Sequence, residues 1–282
     1  MSEAVSMPAI VLFADLLGFS HQVESADPIQ DAPKLSAKIR RFADEFSERG
    51  TNLEFYGKRV WAFSDSIVVA WYRGSQAEQV MTEFDANLFE LSGIAFAQGC
   101  IMREESQLVR GGIGFGWLRE EHDTVVGTAL VRAARLEKKV ETPFIAVDQE
   151  LYDYYVAHEG RKTYHSSIDP VPDLFIPPAP YTRNLPALDY LMICLGEIDL
   201  TPLQMSEAKL LRGQERDDFM SKRRHENVID FVEWHRDFVS LGLVSTDDKV
   251  VRKYRALRDH HNFRISANLP SRPDLLLVVS ET

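Results

Sequence analysis

The sequence predicts an α/β (α+β) fold of the ferredoxin-like kind, continued by a C-terminal helical extension. Three observations carry this expectation. Between residues 8 and 118, short apolar runs of strand length alternate with longer segments of helical apolar spacing. Their order is strand, helix, strand, strand, helix, strand, which is the split β-α-β arrangement. Farther on, Pro170, Pro172, Pro177, Pro178, Pro180 and Pro186 crowd one segment, and strongly charged amphipathic stretches follow it. The organisation expected is a core over 1–160, a proline-rich insertion with a returning strand over 161–200, and a helical extension over 201–282.

The elements follow in order. Residues 8–15 (PAIVLFAD) are a short apolar run ending in an acid, as in a buried central strand. Over 34–49, Leu35, Ile39, Phe42 and Phe46 recur at helical spacing, and Gly50 is a suitable stop. Residues 53–63 and 67–71 are two β-rich runs joined through Ser64-Asp65, a tight hairpin. A long helix is expected over 75–102. The glycine-rich run 109–118 (VRGGIGFGWL) then reads as a strand whose glycines permit close backbone approach. Residues 126–140 form a helix, 144–147 a strand, and Asp148 caps a tyrosine-rich helix through Tyr155. The segment 161–186 is an irregular insertion, and 190–195 (YLMICL) a strand returning to the sheet. Residues 215–241 and 246–261 are the helices of the extension.

Composition narrows the function. The 282 residues are 45% hydrophobic, enough for a sizeable core. A net charge of −11 argues against a general binder of nucleic-acid backbones. The two cysteines, Cys100 and Cys194, lack metal-ligand spacing and fit a reducing cytoplasm. Neither a leader-like N-terminus nor a run of about 20 apolar residues is found, so a cytoplasmic protein without membrane contact is expected. GIGFG (112–116) lacks the spacing of a nucleotide-binding loop, and the His260-His261 pair lacks a second ligand pair for zinc. His122-Asp123 reads as a solvated loop, and the SKRRH run (221–225) as a solvated helix face.

The chemistry points to two acids. Asp15 closes the first strand and Asp65 sits at the hairpin tip, and in a split β-α-β sheet those elements are neighbours. Two carboxylates converging on one edge are hard oxygen ligands, suited to Mg²⁺ or Mn²⁺ carrying a polyphosphate. Residues 16–19 follow Asp15 at a helix start, where backbone N–H groups favour phosphate oxygens. Taken singly, the same acids also suit an N-cap and a turn.

Four blocks, in order over roughly residues 8–150, resemble class III nucleotidyl cyclases. FADLLGFS (13–20) is similar to the family's opening metal motif, and FSDSIVVA (63–70) to its second, with Ser64 where glycine is usual. VRGGIGFGWL (109–118) resembles the glycine-rich strand, and VVGTALVRAARLEKK (125–139) the helix that bears the family's arginine. The resemblance implies a ferredoxin-like class III nucleotide cyclase domain using two divalent metal ions, Mn²⁺ or Mg²⁺. Asp15, Leu16 and Asp65 would hold the metals. Arg135 would stabilise the phosphorane-like transition state, and Phe13, Gly18 and Phe19 would line the substrate. It also implies a head-to-tail homodimer in which Arg135 reaches the aspartates of the opposite subunit.

Two departures narrow the substrate. Val131 stands where the family's ribose-holding asparagine is usual. Trp61 and Thr124 occupy the positions of its purine-reading pair. This pattern is similar to the bacterial pyrimidine cyclases of Pycsar antiphage defence, which implies UTP or CTP as substrate and a separate effector responsive to the cyclic nucleotide. Tyr56 is the candidate base-pocket residue: its hydroxyl can bond a pyrimidine carbonyl, although ordinary strand packing explains it equally well. The rival expectations are a purine cyclase with an unusual base pocket and a cyclase-like dimeric binding module without catalysis. A diguanylate-synthase-like enzyme lacks its hairpin signature in Phe63-Ser64-Asp65-Ser66.

Overall fold

The structure, a computed structural model, describes residues 6–48, 53–122, 124–166 and 168–278. Gly50 and Asp123 lie outside them. The chain divides into two compact units, Met1–Tyr190 and Leu191–Thr282.

In the first unit, β1 (Met7–Leu16) leads into the six-residue α1 (Phe19–Glu24) and then α2 (Ala32–Glu48). The hairpin β2 (Lys58–Phe63) and β3 (Ser66–Tyr72) follows. Next come α3 (Gln76–Val80), α4 (Glu83–Glu105), β4 (Val109–Glu121), β5 (Thr124–Gly127), α5 (Thr128–Val140), β6 (Ile145–Val147) and α6 (Gln149–Ala157). The unit ends with α7 (Val171–Leu174), β7 (Phe175–Ile176) and β8 (Ala187–Leu188). Among the described residues, eight strands share one sheet in the order β2-β3-β1-β4-β6-β8-β7, with β5 paired to β4. Among the described residues, only the β4–β6 pairing is parallel. The expected mixed α/β split β-α-β core is therefore present, with β1 between β3 and β4.

Strand alternation sorts the two faces. Ile10, Leu12, Ala14, Ile67, Val69 and Trp71 face α2 and α4 and are buried, and the Trp71 indole N–H donates to Asn87 Oδ1 of α4 at 2.8 Å. On the opposite face Ala9, Val11, Val68, Ala70 and Leu118 pack with Ala129 and Ala133 of α5. The β4 glycines explain how close that helix lies. A Cβ on Gly114 would stand 2.7 Å from the Ala129 carbonyl oxygen, and one on Gly112 would stand 2.2 Å from that of Ala133. Alternate glycines thus let α5 rest directly on strand backbone, which is the close approach expected from the glycine run.

Four local expectations need correction. The strand expected over 53–63 begins only at Lys58, because residues 53–57 fold into a turn closed by Lys58 N–H to the Leu53 carbonyl. Gly57, at φ +60°, makes that turn. The helix expected over 75–102 is two helices, since Thr82 (φ 133°) breaks it and caps α4 by accepting from Asp85 N–H. Residues 126–127 belong to β5, so the next helix begins at Thr128. Finally, the run at 190–195 lies in α8 (Tyr190–Glu197), and the returning strand is β8, directly after the last proline of the proline-rich segment. Leu and Met favour helix, and a six-residue apolar run carries no period that would have told the two apart.

The second unit contains α9 (Pro202–Ala208), α10 (Gly213–Leu243) and α11 (Asp248–Asn268). The last two form a hairpin so close that a Cβ on Gly242 would lie 2.1 Å from the Tyr254 ring. Val232, Ile265 and Leu275 form its apolar cluster. His235, His260 and His261 are fully buried, with His235 Nδ1 2.9 Å from His261 Nδ1 and His261 Nε2 2.9 Å from the Leu275 carbonyl oxygen. Among the described residues no helix is long and apolar enough to cross a membrane.

Candidate active site

The β1 end and the β2–β3 turn bring Asp15 and Asp65 to one edge of the sheet. Asp15 is in register with Ser66 of β3, and Leu16 N–H donates to the Asp65 main-chain carbonyl at 3.0 Å. Ser64 adopts φ 57°, a left-handed conformation that glycine occupies without strain, so its side chain is held there at a cost. Ser20, on α1, donates its hydroxyl to Asp65 Oδ2 at 3.2 Å. Asp15 lies opposite Arg110 in the β1–β4 ladder, and Arg110 Nη2 reaches Asp15 Oδ2 at 3.2 Å. The same Nη2 pairs with Glu137 on α5. Burial pushes the Glu137 carboxyl above its ordinary range; the Arg110 guanidinium pulls it back down, and the Asp15 charge adds to the rise.

This donor set fits a hard divalent cation. Two carboxylates on adjacent backbone turns, with the Leu16 main chain between them, present oxygen atoms only. Among the described residues no group of three or more His, Cys, Asp or Glu side chains forms a ready-made metal cage. Two protein carboxylates with the remaining positions left to phosphate and water is the arrangement Mg²⁺ commonly uses.

The turn after Asp15 differs from expectation. Leu16 and Leu17 are not at a helix start: their N–H groups are already donated to the carbonyls of Asp65 and Leu108. Gly18 takes a left-handed conformation (φ 82°) as the N-cap, and Phe19, the first residue of α1, is buried. Phosphate-binding amides of this turn would therefore lie from Gly18 onward. Phe13 is half-buried against the α5-side cluster.

Tyr56 packs away from Trp61, against helices on the other side of the sheet. It sits in the turn before β2 and packs with Ala77 and Ala86 of α3 and α4, its ring stacked on Phe89 at 5.7 Å. Its hydroxyl lies 3.7 Å from Met81 Sδ, and burial raises its pKa. Asp15 contacts the α5 side of the sheet through Arg110, whereas Tyr56 is consumed by the α4 side. Trp61 does belong to the α5 side, where its half-buried indole packs on the same cluster as Phe13, Val125 and Leu130. Thr124 is exposed at the start of β5 and, with Arg119, Glu121, His122 and Val126, lines a shallow hollow at the β4–β5 hairpin.

Arg135 is exposed on α5, and its side chain makes no hydrogen bond or ion pair among the described residues. Val131, one turn earlier on the same helix, is 47% exposed. Phe63, Trp117 and Val126 are exposed to a similar degree. Sequence reasoning missed Arg110, Glu137 and Ser20. The signal for Arg110 was present, since it is the lone charge in the glycine-rich run 109–118 and shares parity with the glycines that face α5.

No family model matches the sequence, and no curated protein matches it. Among solved structures the chain is similar to the adenylyl cyclase CyaB from P. aeruginosa, at 18% identity over 54% of this chain and 81% of that one, with a TM-score of 0.43. It is also similar to an adenylate/guanylate cyclase/hydrolase from Silicibacter pomeroyi, at 20% identity over 56% and 86% of the two chains, with a TM-score of 0.39. A class III adenylyl cyclase-like ATP-binding protein from Pseudomonas aeruginosa matches at 12% identity over 57% of this chain and 37% of its own, with a TM-score of 0.36.

Proposed function

We propose that this chain is a class III-type nucleotide cyclase that closes a pyrimidine nucleoside triphosphate, UTP or else CTP, into its 3′,5′-cyclic monophosphate and pyrophosphate. The observation that carries the reading is the meeting of Asp15 and Asp65 at the β1 edge, tied by the Leu16-to-Asp65 backbone hydrogen bond, within four family-like blocks in the family's order. The residues fit two divalent ions, Mn²⁺ or Mg²⁺, held by Asp15, Asp65 and the Leu16 main chain; when bound they would neutralise the triphosphate and acidify the 3′-hydroxyl. The 3′-oxygen attacks the α-phosphorus in line, the bond to the bridging oxygen breaks, and pyrophosphate leaves with the electron pair. The hydroxyl proton is lost to solvent. Ser20 orients Asp65, and Arg110 orients Asp15.

Arg135 is exposed on α5, and in this reading it acts on a site outside its own protomer. Its exposed guanidinium suits phosphate oxygens of a site completed by a second copy. The half-exposed Phe63, Trp117, Val126 and Val131 supply apolar surface for such a homodimer. Base choice rests on Trp61: an apolar indole stands where a charged purine contact would be, and it narrows the space for a double ring. Thr124 is the second base-facing position. In this reading the product is a cytoplasmic second messenger for antiphage defence, sensed by a separate effector.

A panel of ATP, GTP, CTP and UTP with Mn²⁺ tests the proposal. Pyrimidines should turn over at least about tenfold better than purines, equivalent to about 1.4 kcal/mol in transition-state binding. Preference for ATP or GTP would overturn the pyrimidine assignment. Absence of any cyclic product would overturn the enzyme.

A further inference from the structure

Arg110 raises an electrostatic question. A guanidinium 3.2 Å from Asp15 Oδ2 cancels the charge of the carboxylate and repels an approaching cation. A site for a divalent ion would not keep such a neighbour unless that charge were offset. Glu137 offsets it. Its side chain is 5% exposed, and it pairs with the same Nη2 that holds Asp15. The Arg110 Nε is buried and has no hydrogen-bond partner among the described residues, so Nη2 carries both of its carboxylate contacts. Asp15, Arg110 and Glu137 together carry a net charge of −1, the charge Asp15 would have alone.

We propose that Arg110 and Glu137 form a charge-balanced clamp, in which Glu137 cancels the Arg110 charge that meets Asp15 Oδ2 and so keeps one net negative charge available to a divalent cation. Both act through the charge at Asp15. The clamp also ties the strand that bears Asp15 to α5, on which Glu137 lies two residues beyond Arg135. It rests on the reading of Asp15 as a metal ligand, and the experiment separates the two claims.

Mn²⁺ alone is titrated into the full chain and followed by electron paramagnetic resonance, with a thermal melt for each variant. Asp15→Asn should abolish the saturable Mn²⁺ site. Glu137→Gln keeps the shape but leaves Arg110 unopposed, and should weaken Mn²⁺ by about tenfold or more. The double variant Arg110→Met with Glu137→Gln restores the charge balance and should return the affinity to within about threefold of wild type. Arg110→Met alone should bind Mn²⁺ as tightly as wild type or more tightly. A merely structural ion pair would show a lowered melting temperature in all three variants and no recovery in the double one. Wild-type affinity in Glu137→Gln, a double variant as weak as Glu137→Gln, or weaker binding by Arg110→Met would overturn the clamp while leaving the metal reading intact. A saturable site that survives Asp15→Asn, or no Mn²⁺ uptake by wild type at millimolar concentration, would overturn both.

Discussion

Asp15 and Asp65 differ in what surrounds them, and that difference sets what their replacement should do. Asp15 is engaged by Arg110, whereas Asp65 is engaged by the Ser20 hydroxyl and holds Leu16 through its main chain, which substitution does not alter. Asp15→Asn or Asp65→Asn should therefore leave the fold in place, with a stability change of about 1 kcal/mol or less for the half-exposed Asp65. Each should lower kcat by at least about a thousandfold, because each withdraws an anionic ligand from a polyphosphate site. Near wild-type turnover by either folded variant would end the assignment. These two acids were legible in the sequence because a strand end and a hairpin tip are local features. The placement of Tyr56 was not: the positive φ of Gly57 turns residues 53–57 out of the strand, so Tyr56 lies against α3 and α4. The Arg110–Glu137 pair was hidden for another reason, since it joins residues 27 apart that meet only because β4 carries glycines under α5.

Among the elements, the split β-α-β order could be read directly, because each of its strands and helices carries its own period and its own turn residues. The hairpin of α10 and α11 was equally legible as two charged amphipathic helices, but its buried polar centre was not. The sequence offered His260-His261 without a partner, and it is α10 that brings His235 against His261. Burial, followed by the proximity of His261 and His260, holds His235 well below the ordinary histidine range. Burial likewise lowers His261 to about 4, although its contact with the Leu275 carbonyl favours the protonated form; His260 and Arg236 lower it further. Both are neutral in the folded unit and titrate near 6.5 once unfolded. The unfolded chain thus takes up more protons in acid. The stability due to these residues is complete above pH 6.5 and declines as the pH falls toward 4, by up to about 1.4 kcal/mol per pH unit for each histidine. Urea denaturation followed by far-ultraviolet circular dichroism at pH 7, 6 and 5 measures this, since the two long helices contribute much of the signal. A helical transition whose midpoint does not move between pH 7 and 5 would show that the buried pair is already charged.

At the scale of the whole molecule, the question is whether one chain contains a complete site. The Asp15–Asp65 edge and Arg135 lie on the same unit, yet Arg135 is exposed while Asp15 is already met by a different arginine, Arg110. In the proposed homodimer the site is composite: one subunit would provide Asp15 and Asp65, and the other would provide Arg135. An isologous pairing then makes two equivalent sites per dimer. Asp65→Asn and Arg135→Ala should each be inactive alone. In a mixed dimer, the first variant's intact Arg135 meets the second variant's intact Asp65, and the other site contains both lesions. After free subunit exchange in an equimolar mixture, half the dimers are mixed and each holds one working site of two, so activity should return to about a quarter of wild type. Exchange is verified separately by pull-down of one tagged variant with the other. If exchange is complete and the mixture stays inactive, Arg135 acts within its own subunit or not at all. Activity well above a quarter would mean that one of the two single variants was never dead, and the roles given to Asp65 and Arg135 would have to be revised.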